Sequence, residues 1–369
     1  MIFTCNTKPL ITAVSQVVID SNISRFFRKS GILQLTANKE SIRIGSEASY
    51  IVSEAIIRGT GDADEEVTIF IDALQFKKLI STFTADYVSF EYTDNALIIR
   101  AGKSKFTLPK MVDESEIAFN RPFSDITNDM IPITLSSDKW KFIKNRQMFA
   151  VSDEAAHPIY RYVWFGADGD VIAGNYDISL FTRSKMGDMP DTCLLSSTII
   201  NLLTGLPQDT KLYQYGKHYV IQYTDNSYTF TSEFEPQYES DDFGNYSSDI
   251  ILRMCGFTSS TAPVKLDCGE IGKFLNQLDI LNNLPDAPIK LIVTAEEFRM
   301  VGKTSEVVFD NDGSDLEYEL TLKLSTFKSV IAKYSGTVEI YPHIPDESQD
   351  VIGIKISDGN MVTIIGGIE

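Results

Sequence analysis

The sequence predicts an α+β protein of three similar domains, each with two helices backed by antiparallel sheets. Two observations lead to this fold class. A strand that runs directly into a helix recurs along the chain in two related forms, and each form occurs three times. Between these units, alternating apolar and polar residues with Asn, Asp and Gly turns are typical of hairpins. Each repeat has room for two helices and about eight strands, so we expect helices layered on sheets.

The first form of the unit is "VTIFIDALQFKKLIS", which begins at Val67. An apolar strand-type run leads to a short polar residue able to cap a helix, and an apolar stripe at helical spacing follows. Further copies begin at Cys193 and Leu320, so the copies lie roughly 120–130 residues apart, which is the size of a domain. The predicted capping residues are Asp72, Ser196 or Ser197, and Ser325.

The second form begins at Phe3, Ile133 and Val264, at a similar spacing. Its predicted capping positions are Asn6 or Thr7, Ser136 or Ser137, and Asp267. The two forms together predict domains at 1–122, 123–246 and 247–369. The expected junctions, near 111–129 and 234–249, are acidic and rich in turn residues.

The formal net charge of −18 argues against a general nucleic-acid coat, because an acidic surface repels phosphate. It does not exclude a small basic surface on an acidic body. The four cysteines are widely spaced without a CxxC pair, so buried thiols are expected. No apolar run approaches the length of a membrane span, and the N-terminus does not resemble a signal peptide. We therefore expect a cytoplasmic protein that does not contact a membrane.

Nothing in the sequence assembles a catalytic or metal site. The three histidines, His157, His218 and His343, do not fall at metal-ligand spacings, and no glycine-rich phosphate loop is present. The acidic segment "FDNDGSDLEYE" has its glycine misplaced for a calcium loop. We expect no enzymatic activity, no catalytic residue, no metal and no cofactor.

The order and spacing of these segments resemble the bacterial sliding clamp, the beta subunit of DNA polymerase III. The best segment is "VTIFIDALQFKKLIS…DYVSFEYTDNALIIRAGKSKFTLP", and weaker matches are "DVIAGNYDISLF" and "EPQY". The resemblance covers essentially the whole chain. It implies a head-to-tail dimer whose sheets face outward and whose helices line a hole around duplex DNA. DNA polymerase and a clamp loader are the other implied partners.

The resemblance assigns the basic residues of the helices to a DNA-facing set. Lysines and arginines opposite phosphates give attraction without base readout, as a sliding ring requires. For any single residue, the solvated face of an amphipathic helix is the favoured alternative; for the whole set we favour the channel. The set is Arg25, Arg28, Lys29, Lys77, Lys78, Lys139, Lys141, Lys144, Arg146, Lys273, Lys323, Lys328 and Lys333.

The family also binds partner peptides in an apolar pocket between its second and third domains. By position this pocket comprises Gly174, Tyr176, Ser179, Leu180, Pro236, Ile364, Ile365 and Ile368. Core packing of Leu180 and Ile365 is an equally weighted alternative. The residues after "EPQY" and the tail "IIGGIE" depart from the family pattern, so we expect an altered peptide preference. The departures also suggest a divergent clamp, and bacterial and viral origins both stay open.

For ring closure, the family pairs an edge strand of domain one with an edge strand of domain three in the second subunit. Phe106 and Leu108 match the first side, and Ile280 and Leu281 match the other. Ordinary core packing is the alternative, slightly favoured for Ile280. Two other functions stay open: a repeat-built structural protein that assembles without DNA, and a carboxylate-using hydrolase.

Overall fold

A computed structural model describes residues 1–18, 31–48, 50–111, 120–122, 127–152, 158–166, 168–175, 178–187, 192–236, 262–281, 287–311, 316–344 and 351–368. These residues form six α-helices: α1 (Thr7–Val17), α2 (Ala73–Ile80), α3 (Ser137–Arg146), α4 (Ser197–Gly205), α5 (Cys268–Leu281) and α6 (Leu324–Ile331). Within this described part of the chain, no helix is long and apolar enough to cross a membrane.

The same residues form 24 strands, eight in each third of the chain. The first eight are β1 (Ile2–Asn6), β2 (Ile32–Ala37), β3 (Ser41–Ala48), β4 (Ile51–Gly61), β5 (Val67–Asp72), β6 (Tyr87–Tyr92), β7 (Ala96–Ala101) and β8 (Ser104–Pro109). The next eight are β9 (Ile131–Ile133), β10 (Tyr162–Phe165), β11 (Asp170–Asn175), β12 (Leu180–Lys185), β13 (Cys193–Ser196), β14 (Lys211–Tyr215), β15 (His218–Thr224) and β16 (Tyr228–Phe234). The last eight are β17 (Val264–Asp267), β18 (Pro288–Val293), β19 (Glu297–Val301), β20 (Glu306–Asp310), β21 (Tyr318–Lys323), β22 (Thr337–His343), β23 (Gly353–Ser357) and β24 (Met361–Gly366).

The predicted strand-to-helix units are all present, and most of the predicted caps are confirmed. Helices need such caps because their first backbone N–H groups have no partner within the helix. The Asp72 carboxylate accepts a hydrogen bond from the backbone N–H of Gln75 at 2.6 Å. The other confirmed caps are Ser136, which accepts from Lys139 N at 3.4 Å, Ser196, which accepts from Ile199 N at 3.4 Å, and Asp267, which accepts from Gly269 N at 2.8 Å.

Two predicted caps are wrong. Asn6 holds the N-cap position of α1, but its side chain makes no capping bond, and Thr7 is already the first residue of the helix. The cap predicted at Ser325 is wrong as well. Helix α6 already begins at Leu324, and Lys323 at its N-cap position makes no side-chain capping bond. The Leu324 N–H instead donates to the carbonyl oxygen of Ala287 at 2.9 Å. A tertiary contact therefore satisfies part of this helix end, and the serine lies inside the first turn.

Each third of the chain builds the same two half-sheets. In one, the fifth, second, third and fourth strands lie side by side, as in β5-β2-β3-β4, β13-β10-β11-β12 and β21-β18-β19-β20. In the other, the first, sixth, seventh and eighth strands do so, as in β1-β6-β7-β8, β9-β14-β15-β16 and β17-β22-β23-β24. All pairings are antiparallel, for example Leu291 opposite Leu320. The α+β fold of repeated helix and sheet layers is therefore confirmed.

The half-sheets of different thirds join through the fourth strand of one and the eighth strand of the next. Strand β4 pairs with β16, and strand β12 pairs with β24. In the first junction Ile57 lies opposite Tyr228, and in the second Leu180 lies opposite Ile365. Strand β1 also pairs with the end of β4, which links the two half-sheets of the first third.

The chain divides into two compact units. The first contains residues 1–135 and 205–237 and holds a 12-stranded sheet; the second contains residues 136–204 and 238–369 and holds an 8-stranded and a 4-stranded sheet. Residues 123–246 contribute to both units, because the two half-sheets of the middle third join different neighbours. The three domain boundaries stay a prediction.

The repeat extends to the core. Phe76, Ile199 and Phe327 occupy the same position in α2, α4 and α6, and each is fully buried. Burial of one such side chain contributes about 1.5–3 kcal/mol. The apolar stripe that the sequence shows in each copy is thus the helix face that packs on the sheets.

Candidate nucleic-acid and partner interfaces

Helices α2, α3 and α5 carry the exposed lysines of the predicted DNA-facing set. Lys78, Lys141, Lys144 and Lys273 are exposed to solvent. The Lys141 Nζ lies 3.8 Å from the exposed Asp138 carboxylate. A pair this exposed contributes little and competes only weakly with another anion. These four lysines are the members most available to a phosphate backbone.

Other members of the DNA-facing set contact groups of the same chain. Their partners are the Val18 carbonyl oxygen for Lys77 (2.7 Å), the Met186 carbonyl oxygen for Lys139, the Asp279 carboxylate for Lys328 (2.6 Å), the Asp358 carboxylate for Arg146 (2.6 Å) and the Phe149 ring for Lys333 (5.6 Å to its centroid). Lys323 is half-buried in front of α6. Arg25, Arg28 and Lys29 lie outside the described residues.

Strand β8 ends one branch of its sheet. Among the described residues it pairs with β7 alone. Phe106 and Leu108 are half-buried on one face, and Phe106 stacks on Phe83 with ring centroids 5.5 Å apart. Lys103 and Lys105, before and within the strand, are exposed. The edge is therefore apolar on one face and basic at its N-terminal end.

Strand β20 ends the 4-stranded sheet, and within the described part of the chain it pairs with β19 alone. Its residues alternate in burial, with Glu306, Val308 and Asp310 exposed. Val308 is 48% exposed, which leaves an apolar side chain on an open edge. This edge is acidic at both ends, which makes its charge opposite to that of the Lys103 and Lys105 end of β8.

The position predicted for Ile280 and Leu281 needs two corrections. The predicted pairing strand is wrong for both residues, because they lie in the last turn of helix α5. Core packing is wrong for Ile280, which is 79% exposed; Leu281 is 60% exposed. Ile280 follows the buried Leu278 at an offset of two, which points its side chain away from the helix face that Leu278 defines. Leu281, at an offset of three, lies on that face but is the last residue of the helix, where it is exposed.

Five members of the predicted peptide pocket come together where β12 pairs with β24. Gly174 lies on β11 and Leu180 on its neighbour β12, and Ile364 and Ile365 lie on β24, the next strand of the sheet. Ser179, with a left-handed φ of 47°, accepts a hydrogen bond through its carbonyl oxygen from the Gly366 N–H at 2.8 Å. Leu180, Ile364 and Ile365 are buried to 2% exposure or less, as core packing predicts.

Three predicted pocket residues remain: Ile368, Pro236 and Tyr176. Ile368 is half-buried, and its N–H donates to the Thr321 carbonyl oxygen at 2.8 Å. Pro236 is buried and belongs to the other compact unit. Tyr176 lies outside the described residues. The pocket assignment stays a prediction.

An aromatic cluster surrounds the same place, and the sequence reasoning missed it. A Cβ at Gly174 would lie 2.2 Å from the Phe181 ring, so only glycine fits beneath this ring. The density of aromatic residues in "IYRYVWF" was the available signal. The cluster consists of Ile159, Tyr160, Tyr162, Trp164, Ile172, Phe181, Leu194 and Ile364, all buried.

No protein-family model and no curated protein sequence matches the chain. Solved structures do match it. A DNA polymerase sliding clamp from Pseudomonas aeruginosa superposes with a TM-score of 0.76 at 14% identity, over 100% of both chains. A putative DNA polymerase III beta subunit from Eubacterium rectale gives 0.75 at 16% identity over 100% of both chains. The Helicobacter pylori beta clamp, solved bound to a DNA ligase peptide, gives 0.71 at 14% identity over 100% of both chains. Over its whole length, the chain therefore has the fold of the bacterial DNA polymerase III beta subunit, the sliding clamp.

Proposed function

We propose that this protein is a sliding clamp: a processivity factor that closes into a head-to-tail homodimer around duplex DNA and tethers a DNA polymerase. The observation that carries the proposal is the pair of open strand edges, β8 and β20. They are the positions that a second copy of the chain would fill.

The two strand junctions inside the chain indicate how a further junction, between two copies of the chain, would form. Each joins the fourth strand of one repeat to the eighth strand of the next. The fourth strand of the last repeat, β20, and the eighth strand of the first, β8, are left without such a partner among the described residues. Pairing β20 of one copy with β8 of another repeats the existing junction and removes two aggregation-prone edges. Two copies joined twice in this way make a closed ring.

The chemistry of the two edges supports this pairing. In both internal junctions the start of the fourth strand lies opposite the end of the eighth, as for Leu180 and Ile365. The same antiparallel arrangement brings Asp310, at the end of β20, towards Lys103 and Lys105 at the start of β8. Opposite charges across paired strands stabilise a sheet, whereas like charges oppose pairing. The exposed Ile280 and Leu281 supply apolar surface for the same contact.

The helices that would line the proposed hole carry few exposed basic residues. Lys78, Lys141, Lys144 and Lys273 supply sequence-independent attraction to phosphates. Many other cations of the set are already paired inside the protein. The helices thus give weak contacts that allow sliding, and closure of the ring provides the attachment to DNA.

Tethering of the polymerase would use a peptide bound near the β12–β24 junction. The H. pylori clamp takes a DNA ligase peptide, which supports peptide recognition in this fold. Here the aromatic cluster around Phe181 and Ile364 would form the floor of the pocket. A clamp loader, a cytoplasmic location and the lack of enzymatic activity belong to the same proposal.

The proposal is tested by mixing the protein, at low salt, with a nicked circular plasmid and with the same plasmid cut beforehand. After a wash at high salt, which breaks phosphate contacts, a clamp stays on circles and is absent from cut DNA. Retention on neither form, together with a strictly monomeric mass, would contradict the clamp. Equal retention on both forms would indicate ordinary surface binding.

A further inference from the structure

Arg146, at the C-terminal end of α3, is held by groups from two other parts of its compact unit. Its Nη2 donates to Asp358 Oδ2 at 2.6 Å, and the side chains of Arg146 and Asp358 are only 18% and 9% exposed. The guanidinium carbon lies 5.0 Å from the ring centroids of both Phe142 and Tyr334. Partly desolvated charge pairs and cation–π contacts of this kind are stronger than exposed ones.

The carboxylate is fixed before it meets the arginine. Asp358 opens the turn between β23 and β24, and its Oδ1 accepts hydrogen bonds from the N–H groups of Asn360 (3.0 Å) and Met361 (3.1 Å). Gly359, with a φ of +83°, allows this tight turn. The Asp358 carboxylate is thus positioned by its own turn and points its second oxygen at α3.

The ring on the other side of the guanidinium is fixed as well. Tyr334 is 7% exposed, and its hydroxyl donates to the Ile356 carbonyl oxygen at 3.0 Å and lies 2.6 Å from Thr363 Oγ1. Burial raises the pKa of Tyr334, so the ring stays neutral over the physiological range. Arg146 therefore fits between a fixed carboxylate and two rings, and little freedom is left to its head group.

We propose that Arg146 is a positioning residue and not a DNA contact: with Asp358 it forms a latch that locks the last turn of α3 onto the β23–β24 turn. The residue pair spans 212 positions of the chain, so it joins a helix of the predicted second domain to a turn of the predicted third. The neighbouring Gln147, fully buried and bonded to the Val171 carbonyl oxygen at 3.0 Å, anchors the same helix end. The part of this proposal that concerns DNA rests on the proposed clamp function.

The DNA part is tested by the salt dependence of binding to a short duplex, compared between Arg146→Gln and Lys141→Gln. Lys141 is the matched control, because it lies on the same helix and is exposed. Each lost phosphate contact reduces the slope of log K against log salt by about 0.9. We expect this reduction for Lys141→Gln and an unchanged slope for Arg146→Gln. An equal reduction for Arg146→Gln would overturn the proposal.

The latch is tested separately by denaturant unfolding of Arg146→Gln, Asp358→Asn and the double variant. Each single change should lower the unfolding midpoint, and the double variant should lose clearly less than the two losses added, because the pair is already broken by either change. Additive losses would overturn the latch. An unchanged slope for Lys141→Gln would contradict the DNA contact that the proposed clamp function assigns to α3. It would not affect the latch, which is tested by the unfolding cycle alone.

Discussion

Replacement of Ile280 and Leu281 by alanine should convert the proposed dimer into folded monomers. Both side chains are exposed on the last turn of α5, at 79% and 60%, so the chain's own core gains little from them. Alanine keeps the helix, because it has the highest helix propensity. The change therefore removes apolar surface from the proposed subunit contact and leaves the fold intact.

The size of the effect follows from the carbons removed. Each substitution deletes three carbons, and a buried CH₂ contributes about 0.8 kcal/mol. Scaled by the exposed fractions of 79% and 60%, the two changes remove about 3 kcal/mol per contact. A ring has two contacts, so the loss is about 6 kcal/mol, which weakens dimerisation roughly 10⁴-fold at 1.4 kcal/mol per decade.

The assay is mass measurement over a dilution series, which separates the 41.3-kDa chain from a species of twice that mass. Leu74→Ala is the matched control: Leu74 is 47% exposed on α2 and has no part in the proposed contact. We expect the control to dimerise like the unaltered protein, and the Ile280→Ala/Leu281→Ala variant to be a monomer that still unfolds cooperatively, with a midpoint that no longer depends on protein concentration. A variant that still dimerises at the original concentration would refute the assignment of this contact.

Three further predictions concern other parts of the molecule. Lys105→Glu should weaken dimerisation by placing like charges near Asp310, and adding Asp310→Lys should restore it. A double variant that dimerises more weakly than Lys105→Glu would contradict the proposed direction of strand pairing. Gly174→Ala should lower the free energy of unfolding by about 1–3 kcal/mol, because the new Cβ meets the Phe181 ring; a thermal melt equal to that of the unaltered protein would show that the ring moves freely. Burial raises the pKa of Cys268 from 9.0 to about 11, so its thiol should resist alkylation in the native protein at pH 8. Since the folded state holds this proton more tightly than the unfolded chain, stability is retained below about pH 9 and declines as the pH rises towards 11, which unfolding curves at several pH values would reveal.

The repeat architecture could be predicted from the sequence because it depends on local patterns. The apolar run that defines β5 and the stripe that includes Phe76 depend only on neighbours in the chain. Caps such as Asp72 and Asp267 act on N–H groups two or three residues away. These signals recur in each third, and the recurrence distinguished them from chance.

The contacts of the basic residues could not be predicted from the sequence in the same way. Arg146 looks like any lysine or arginine on an amphipathic helix, and its partner Asp358 lies 212 positions away. Ile280 illustrates the converse case: its apolar side chain suggests core, yet the helix carries it to the surface. Tertiary packing decides the surroundings of Arg146, whereas the exposure of Ile280 follows from the register of the helix that contains it.

The claim that the protein encircles DNA is tested most directly by its lifetime on three forms of one plasmid: a nicked circle, the linear form, and the linear form with a bulky protein bound at each end. The account predicts long retention on the circle, rapid loss from the open linear form, and recovery of long retention when the ends are blocked. Equal lifetimes on all three forms would contradict encirclement and leave a protein that binds DNA only by its surface.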